Sequence, residues 1–342
     1  MSGAGAPIGE ADWARAAELV HAAGRVALAC HVSPDGDALG SMLGLGLALR
    51  RAGKDVVASF GDRDAAVPRM LRFLPGRELL VAPSAFPAEP ELMITCDASS
   101  RERLGLLEPN AARAGELIVI DHHASNTGFG SVHLVDPEAP ATTVLVAELL
   151  DRLGIEIDRE VATCLYTGLV TDTGSFRHSS ATPAAHAMAA RLIAKGVAPD
   201  EIARALFDSV PYGYLHVLGT ALGRAALEPS AAAGHGLIWT YVTREDRARY
   251  ALPYDELEGV IDVVRRADAA DVAVVLKETD DGEWHASVRS RCAVDVGRAC
   301  AALGGGGHRR AAGFATSLPP EQAIAALRPH LTAATRADLD AR

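Results

Sequence analysis

A chain of 342 residues, 49% hydrophobic and 23% charged, has room for two domains at roughly 150 residues each, and its apolar content and lack of any repeat exclude a disordered, collagenous or coiled-coil protein. The formal charge of −11 argues against a protein that coats long duplex nucleic acid, while a small anionic substrate fits if metal ions supply local positive charge. Five cysteines, Cys30, Cys96, Cys164, Cys292 and Cys300, are odd in number and contain no CxxC, which excludes a disulfide framework or a zinc–thiolate centre and predicts reduced, mostly buried thiols.

The opening MSGAGAPIGEADW has neither a basic nor an apolar leader segment, and the longest uncharged apolar window, Ala38 to Leu49, falls far short of the roughly 20 residues that span a bilayer. The sequence therefore predicts an unanchored, cytoplasmic protein with no membrane partner. Helix-like stretches at Ala11–Ala23 and Ala38–Ala52 alternate with strand-like runs at Val26–Cys30, Val56–Phe60, Leu92–Cys96 and Leu117–Ile120. This is the βα rhythm of a mainly parallel sheet, with Gly53 closing the second helix. Thr142–Leu153 and Arg159–Val170 read as further helices, split by Gly154, with Asp158 as the cap of the second.

From Thr182 to about Ala226 the pattern is helical, with starts at Pro199-Asp200 and Pro211. The run Glu228-Pro-Ser-Ala-Ala-Ala-Gly234 reads as a break and as the connection between domains. Beyond it, Leu237–Val242, Val272–Glu278 and Trp284–Ser290 are strand-like, the last two joined by the Asp280-Asp281-Gly282 turn. Helices near Asp255–Arg265, Asp295–Leu303 and Pro320–His330 complete a smaller α/β domain. The expected organisation is a catalytic domain over 1–190, a helical linker over 191–230 and a substrate-binding domain over 231–342, with the active site in the cleft between the two domains.

The informative feature is the set of residues just beyond the strands. Val26–Cys30 runs into His31-Val-Ser-Pro-Asp35-Gly-Asp37, Leu92–Cys96 into Asp97, and Leu117–Ile120 into Asp121-His122-His123. In open parallel sheets the ligand crevice lies outside the carboxyl ends of the strands, so these loops should converge. Asp172, at the end of the apolar run from Cys164, is a fourth contributor. Oxygen and imidazole donors without thiolate suit Mn²⁺, Mg²⁺ or similar ions such as Co²⁺, and several carboxylates around two ions roughly 3.5–4 Å apart clamp a phosphoryl group in transfer.

These residues carry a resemblance to the DHH phosphoesterases. His31-xxx-Asp35-Gly-Asp37, Asp97-x-Ser99, Asp121-His122-His123-x-x-Asn126 and Gly168-xxx-Asp172-Thr-Gly174 stand in that family's order, and Gly304-Gly-Gly-Gly-His308-Arg-Arg-Ala-Ala-Gly313 resembles the signature of its associated C-terminal domain. The length fits the nanoRNase/pAp phosphatase branch, which includes enzymes acting on cyclic di-AMP. The resemblance implies one ion on His31, Asp35 and Asp97, a second on Asp37, Asp97, His122 and Asp172, and a water between them that attacks phosphorus in line. It implies for Asp97 a catalytic part as the bridge, and for His123 one of three: orienting the nucleophile, contacting the phosphate, or supporting His122. A homodimer is a further implication.

The glycine run has a physical reading of its own, since Gly305, Gly306 and Gly307 let backbone N–H groups approach an anion, and His308 would meet the phosphate or base. Arg289, on the strand ending at Ser290, is the candidate fork for a terminal phosphate, and Arg103 a second candidate. Asn126 reads as shaping the loop after the triplet, and His178 as either a pocket or a surface residue. With the resemblance, these features predict a Mn²⁺-dependent phosphoesterase that cleaves short oligoribonucleotides to mononucleotides, with pAp, cyclic di-AMP or both as further substrates. The alternatives are a pyrophosphate or polyphosphate hydrolase, which would release phosphate from pyrophosphate, and a nucleotide-binding sensor without turnover, which should lack part of the donor set.

Overall fold

In the computed structural model, which describes residues 8–63, 66–291 and 293–339, the apolar runs of the first half form a five-stranded sheet. The chain runs α1 (Glu10–Ala22), β1 (Arg25–Cys30), α2 (Gly36–Arg51), β2 (Asp55–Phe60), β3 (Leu92–Cys96), α3 (Glu108–Ala112), β4 (Glu116–Asp121), β5 (Val132–Val135), α4 (Thr142–Arg152), α5 (Arg159–Asp172), α6 (Pro183–Ile193) and α7 (Pro199–Phe207). All strand pairs are parallel, in the order β2-β1-β3-β4-β5. Every residue of β3 is buried, as expected where both faces of a parallel sheet are covered. One face packs on α1, α2, α4 and α5, and the other on Phe86, Leu104, Leu107 and Ala111.

The uncharged window from Ala38 to Leu49 is the body of α2, where every residue from Gly36 to Leu49 is buried. Gly36, Gly40 and Gly44, four apart, form one stripe of this helix against α5. A Cβ on Gly40 would come within 2.5 Å of the Cys164 backbone carbonyl, and one on Gly168 within 2.8 Å of an Asp37 oxygen. The stripe thus lets two backbones approach closely and brings the start of α2 beside the end of α5. Chain order places β2 on one side of β1 and β3 on the other, so the switch point lies between β1 and β3.

The chain divides into two compact units between Ser209 and Val210, inside the stretch expected as a helical linker. α7 belongs to the first unit through buried Ile202 and Leu206, and α8 (Tyr212–Gly223) to the second through Tyr214, Val217 and Ala221. The expected connection at Glu228–Gly234 is instead part of the second unit, as β6 (Ala226–Glu228) and α9 (Ala231–Gly234). The reason is Glu228, whose carboxylate accepts from Trp239 Nε1 at 2.8 Å and from Arg328 Nε and Nη2, both at 2.8 Å.

The second unit continues with β7 (Leu237–Val242), α10 (Arg244–Ala248), α11 (Val260–Val264), β8 (Val272–Glu278), β9 (Trp284–Ser290), α12 (Val296–Ala301), β10 (Gly306–His308), β11 (Ala311–Thr316) and α13 (Pro320–Leu339). Its six-stranded sheet has the order β10-β11-β9-β8-β7-β6, antiparallel except for β7 with β8. The helix expected over Asp255–Arg265 is broken at Glu258 and Gly259, leaving a short 3₁₀ turn over Tyr254–Leu257 and then α11. Cys30, Cys96, Cys164 and Cys300 are buried and unpaired; Cys292 lies outside the described residues.

Candidate metal centre

The loops after β1, β3 and β4 converge as their placement predicts. His31 Nε2 lies 3.5 Å from Asp97 Oδ2 and 3.9 Å from Asp35 Oδ1. His122 Nε2 lies 3.7 Å from Asp97 Oδ1, 3.9 Å from Asp37 Oδ2 and 3.6 Å from Asp172 Oδ2. Donor atoms of His31, Asp35 and Asp97 all lie within 4.8 Å of one another, as do those of Asp37, His122 and Asp172 and those of Asp97, His122 and His123. Asp97 thus faces both neighbourhoods, one oxygen to each.

Each side chain is set by its local backbone. Asp35 caps α2, accepting from Asp37 N and Ala38 N at 3.0 Å, and so holds the turn that carries Asp37. Asp37 is buried against the start of α4, where Thr142 N donates to Oδ2 at 2.6 Å and Thr143 N to Oδ1 at 3.0 Å. Helix N-terminal N–H groups are natural partners of a carboxylate. Asp97 has φ 59, a left-handed conformation that aspartate tolerates better than most residues and that is typical of strained functional positions. Thr142 Oγ1 donates to Asp97 Oδ1 at 2.9 Å.

The imidazoles are oriented for metal binding. His31 Nδ1 donates to the Val32 carbonyl at 2.8 Å and His122 Nδ1 to the Ala139 carbonyl at 3.2 Å, which leaves Nε2 of each as the nitrogen facing the carboxylates. Metal-bound histidines almost always anchor their other nitrogen in this way, and a donor set of carboxylate and imidazole without thiolate fits divalent cations such as Mn²⁺ or Mg²⁺. His123 differs: Nδ1 donates to Asp121 Oδ1 at 2.7 Å, and Asp121 Oδ2 accepts from Asn126 Nδ2 at 2.6 Å. Asn126 also donates to the Ala98 carbonyl at 3.3 Å, tying the β4 loop to the β3 loop.

Crowding of like charges is visible in the proton affinities. Burial, followed by the charges of Asp97 and Asp172, pushes Asp37 well above the carboxylate range. Burial pushes Asp172 up to about 6, with His122 opposing and Asp97 adding to the rise. Burial disfavours charge on His122, but Asp37, Asp172 and Asp97 outweigh it and raise the imidazole to about 9. Asp97 is held low despite burial by its contact with His31 and the charges of His122 and His123. His123 is raised chiefly by its bond to Asp121. Cations entering this cluster would replace protons and relieve the repulsion.

Arg103 is exposed; its Nη2 lies 3.2 Å from His31 Nδ1, and its carbonyl accepts from Val32 N. Arg289 is half-buried on β9, where Nη1 donates to the Val288 carbonyl, and among the described residues its guanidinium forms no ion pair; burial lowers its proton affinity. The glycine run, expected as a nest in a loop, is instead the approach to edge strand β10: Gly306, Gly307 and His308 pair with Gly313, Ala312 and Ala311. A Cβ on Gly307 would meet the Ala311 carbonyl at 2.6 Å, so close strand pairing also demands glycine there. His178 is exposed, its Nδ1 3.3 Å from the Asp172 carbonyl. Asp121, which the sequence places in the triplet without giving it a role, and Thr142, which it does not single out, are both fully buried.

Residues 25–169 match the DHH family, N-terminal domain, and residues 240–334 match the DHHA1 domain. The chain is 35% identical over 290 residues to the bifunctional oligoribonuclease and PAP phosphatase NrnA of Thermus thermophilus, covering 85% of this chain and 83% of that protein. It is 28% identical over 314 residues to the cyclic-di-AMP phosphodiesterase GdpP of Geobacillus thermodenitrificans, covering 85% of this chain and 44% of that one. The crystal structure of an exopolyphosphatase-related protein from Bacteroides fragilis superposes with a TM-score of 0.87 at 26% identity, covering 95% of this chain and 96% of that one. Among the described residues no helix is long and apolar enough to cross a membrane.

Proposed function

The chain belongs to the DHH family of phosphoesterases, and from that premise we propose that it is a Mn²⁺-dependent hydrolase of short oligoribonucleotides, releasing mononucleotides, that also acts on pAp or cyclic di-AMP. The observation that carries this reading is Asp97, which offers one oxygen to the His31 group and the other to the His122 group. His31, Asp35 and Asp97 would hold one ion, and Asp37, Asp97, His122 and Asp172 the second. Bound ions of this kind acidify a water toward neutral pH and offset the charge of the phosphoryl oxygens.

The protein's own groups do the rest. Asp121 fixes the ring of His123, so that Nε2 is the nitrogen that meets the phosphate or returns a proton to the leaving oxygen. Arg103 in the first unit, and Arg289 and His308 in the second, are each suited to hold a phosphate or base. Of the glycines before His308, Gly306 faces open space, while Gly305 and Gly307 serve the close pairing with β11. Buried unpaired thiols suit a reducing compartment, and we place the enzyme in the cytoplasm. The sensor alternative loses support because every expected donor is present.

The test is a parallel time course with Mn²⁺, offering pAp, pApA, a five-nucleotide RNA, cyclic di-AMP and pyrophosphate to the wild type and to Asp97→Ala. Cleavage of the linear nucleotides by the wild type alone supports the proposal, and their relative rates rank the substrates. Consumption of pyrophosphate only, or of nothing, overturns it.

A further inference from the structure

Asp97 has two oxygens and two neighbourhoods to serve, and a carboxylate that turns about its Cβ–Cγ bond would exchange them. Oδ2 points to His31 Nε2 at 3.5 Å, while Oδ1 points to His122 Nε2 at 3.7 Å. A hydrogen bond from a neutral side chain distinguishes the two oxygens: Thr142 Oγ1 donates to Oδ1 at 2.9 Å. Thr142 is itself held fast, since it is fully buried at the first turn of α4 and its backbone N–H donates to Asp37 Oδ2 at 2.6 Å. One residue therefore holds two carboxylates from different segments, Asp37 at the start of α2 through its main chain and Asp97 just after β3 through its hydroxyl. A valine would keep the shape and the Asp37 bond and lose only the hydroxyl.

We propose that Thr142 is a positioning residue which locks the rotation of the Asp97 carboxylate, so that Oδ1 stays with the His122, Asp37 and Asp172 group and Oδ2 with the His31 and Asp35 group. This rests on the reading of the centre as a two-ion site. Its effect falls on the sharing of Asp97 between ions rather than on the fold or on substrate contacts. Outer partners of this kind typically govern roughly 10–100-fold in metal affinity.

The experiment is Mn²⁺ titration of the full chain, wild type, Thr142→Val and Thr142→Ser, followed by calorimetry and by electron paramagnetic resonance, which separates paired from isolated Mn²⁺. The wild type should bind two ions and show the spin-coupled pair signal. Thr142→Val should weaken the second ion by about 10–100-fold and replace the pair signal with that of isolated Mn²⁺, while Thr142→Ser, which restores the hydroxyl, should stay within about threefold of wild type. Thermal melting without added metal shows whether each variant is folded, and the serine variant preserves the test if valine is poorly accommodated. A coupled pair of undiminished affinity in Thr142→Val, or the same loss in Thr142→Ser, overturns the inference. Failure of the wild type to bind two ions overturns the two-ion reading itself, a separable result.

Discussion

Arg289 and His308 stand in one transverse row of the second sheet, with Ala311 as the neighbour of both: Arg289 on β9 pairs with Ala311 on β11, which pairs with His308 on β10. Residues opposite one another in register share a face, so the two side chains project to the same side about 10 Å apart. The adjacent row on that face is Ser287, Gly313 and Gly306, which is nearly bare of side chains. The guanidinium of Arg289 and the imidazole of His308 thus stand beside a row that carries little side chain.

Arg289→Ala should accordingly act on binding. A charge-assisted contact to phosphate is worth about 1.5–3 kcal/mol, so KM should rise by roughly 10–100-fold with kcat changed far less. Steady-state kinetics on pApA reads this directly, and an unchanged KM removes Arg289 from the substrate contacts.

Asp121→Asn should act on turnover. The amide can no longer anchor His123 as a charged acceptor, and kcat should fall by about 100-fold or more while Mn²⁺ stoichiometry stays at the wild-type value. The pH profile adds a sign. Asp121 raises the proton affinity of His123, so if protonated His123 is the active form, activity persists to a pH above the ordinary imidazole range and is lost beyond it. In Asp121→Asn that alkaline limb should move to lower pH, and an unmoved limb would assign it to another group.

Loss of Asp97 should be more drastic, because both donor groups use it. Asp97→Ala should abolish turnover and most Mn²⁺ binding together, and wild-type turnover in this variant would sink the centre as assigned.

Metal binding should itself depend on pH. Asp172 is pushed up to about 6, so below that value protons compete for its carboxylate, and His122, raised to about 9, must give up a proton as a cation arrives. The apo protein feels the same groups with the opposite sign. Asp172 contributes stability that is lost as pH rises from its unfolded value of 3.8 to about 6, and His122 contributes stability that is present below 6.5 and lost as pH rises through about 9. The upward shift of Tm by Mn²⁺ should therefore grow from about pH 5 to about pH 7, and calorimetry in buffers of different ionisation enthalpy should detect proton release. A pH-independent shift would count against these ligands.

Gly40→Ala tests how the centre is assembled. Its added methyl would meet the Cys164 carbonyl, a backbone atom with no rotamer to yield, and should cost about 1–3 kcal/mol of stability while parting α2 from α5. Thermal melting and Mn²⁺ affinity should both fall; a neutral effect on both would mean the helices are free to separate without moving Asp37.

Much of this arrangement is legible in the chain's own pattern. β1, β3 and β4 are continuous apolar runs that stop at a ligand-type residue, and a parallel sheet collects such stops at one end. Asp158 reads as a cap and is one, accepting from Glu160 N and Val161 N. Other features leave no local trace. Thr142 and Asp97 are 45 residues apart in sequence, and their contact depends on where α4 begins relative to β3. β5 is four residues long, too short for alternation to stand out, and β10 consists largely of glycine, which carries no side-chain periodicity and so resembles a loop. A boundary drawn at Glu228–Gly234 falls too late because Pro229 and Gly234 mimic a linker, whereas the long-range pairing of Glu228 with Arg328 is invisible along the chain.

The scatter of the donors along the chain has a consequence for how the protein comes into being. His31 and Asp35 lie close in sequence, but Asp97, His122 and Asp172 come from three later segments, and none of the three donor groups lies within one continuous stretch. Small zinc domains are moulded by their ion; here the sheet and the packing of α2 on α5 must be complete before any cation finds its full set of ligands. During synthesis the centre matures only after Asp172 has emerged and α5 has docked, so a nascent chain carries the signature loops well before it can gather them around an ion.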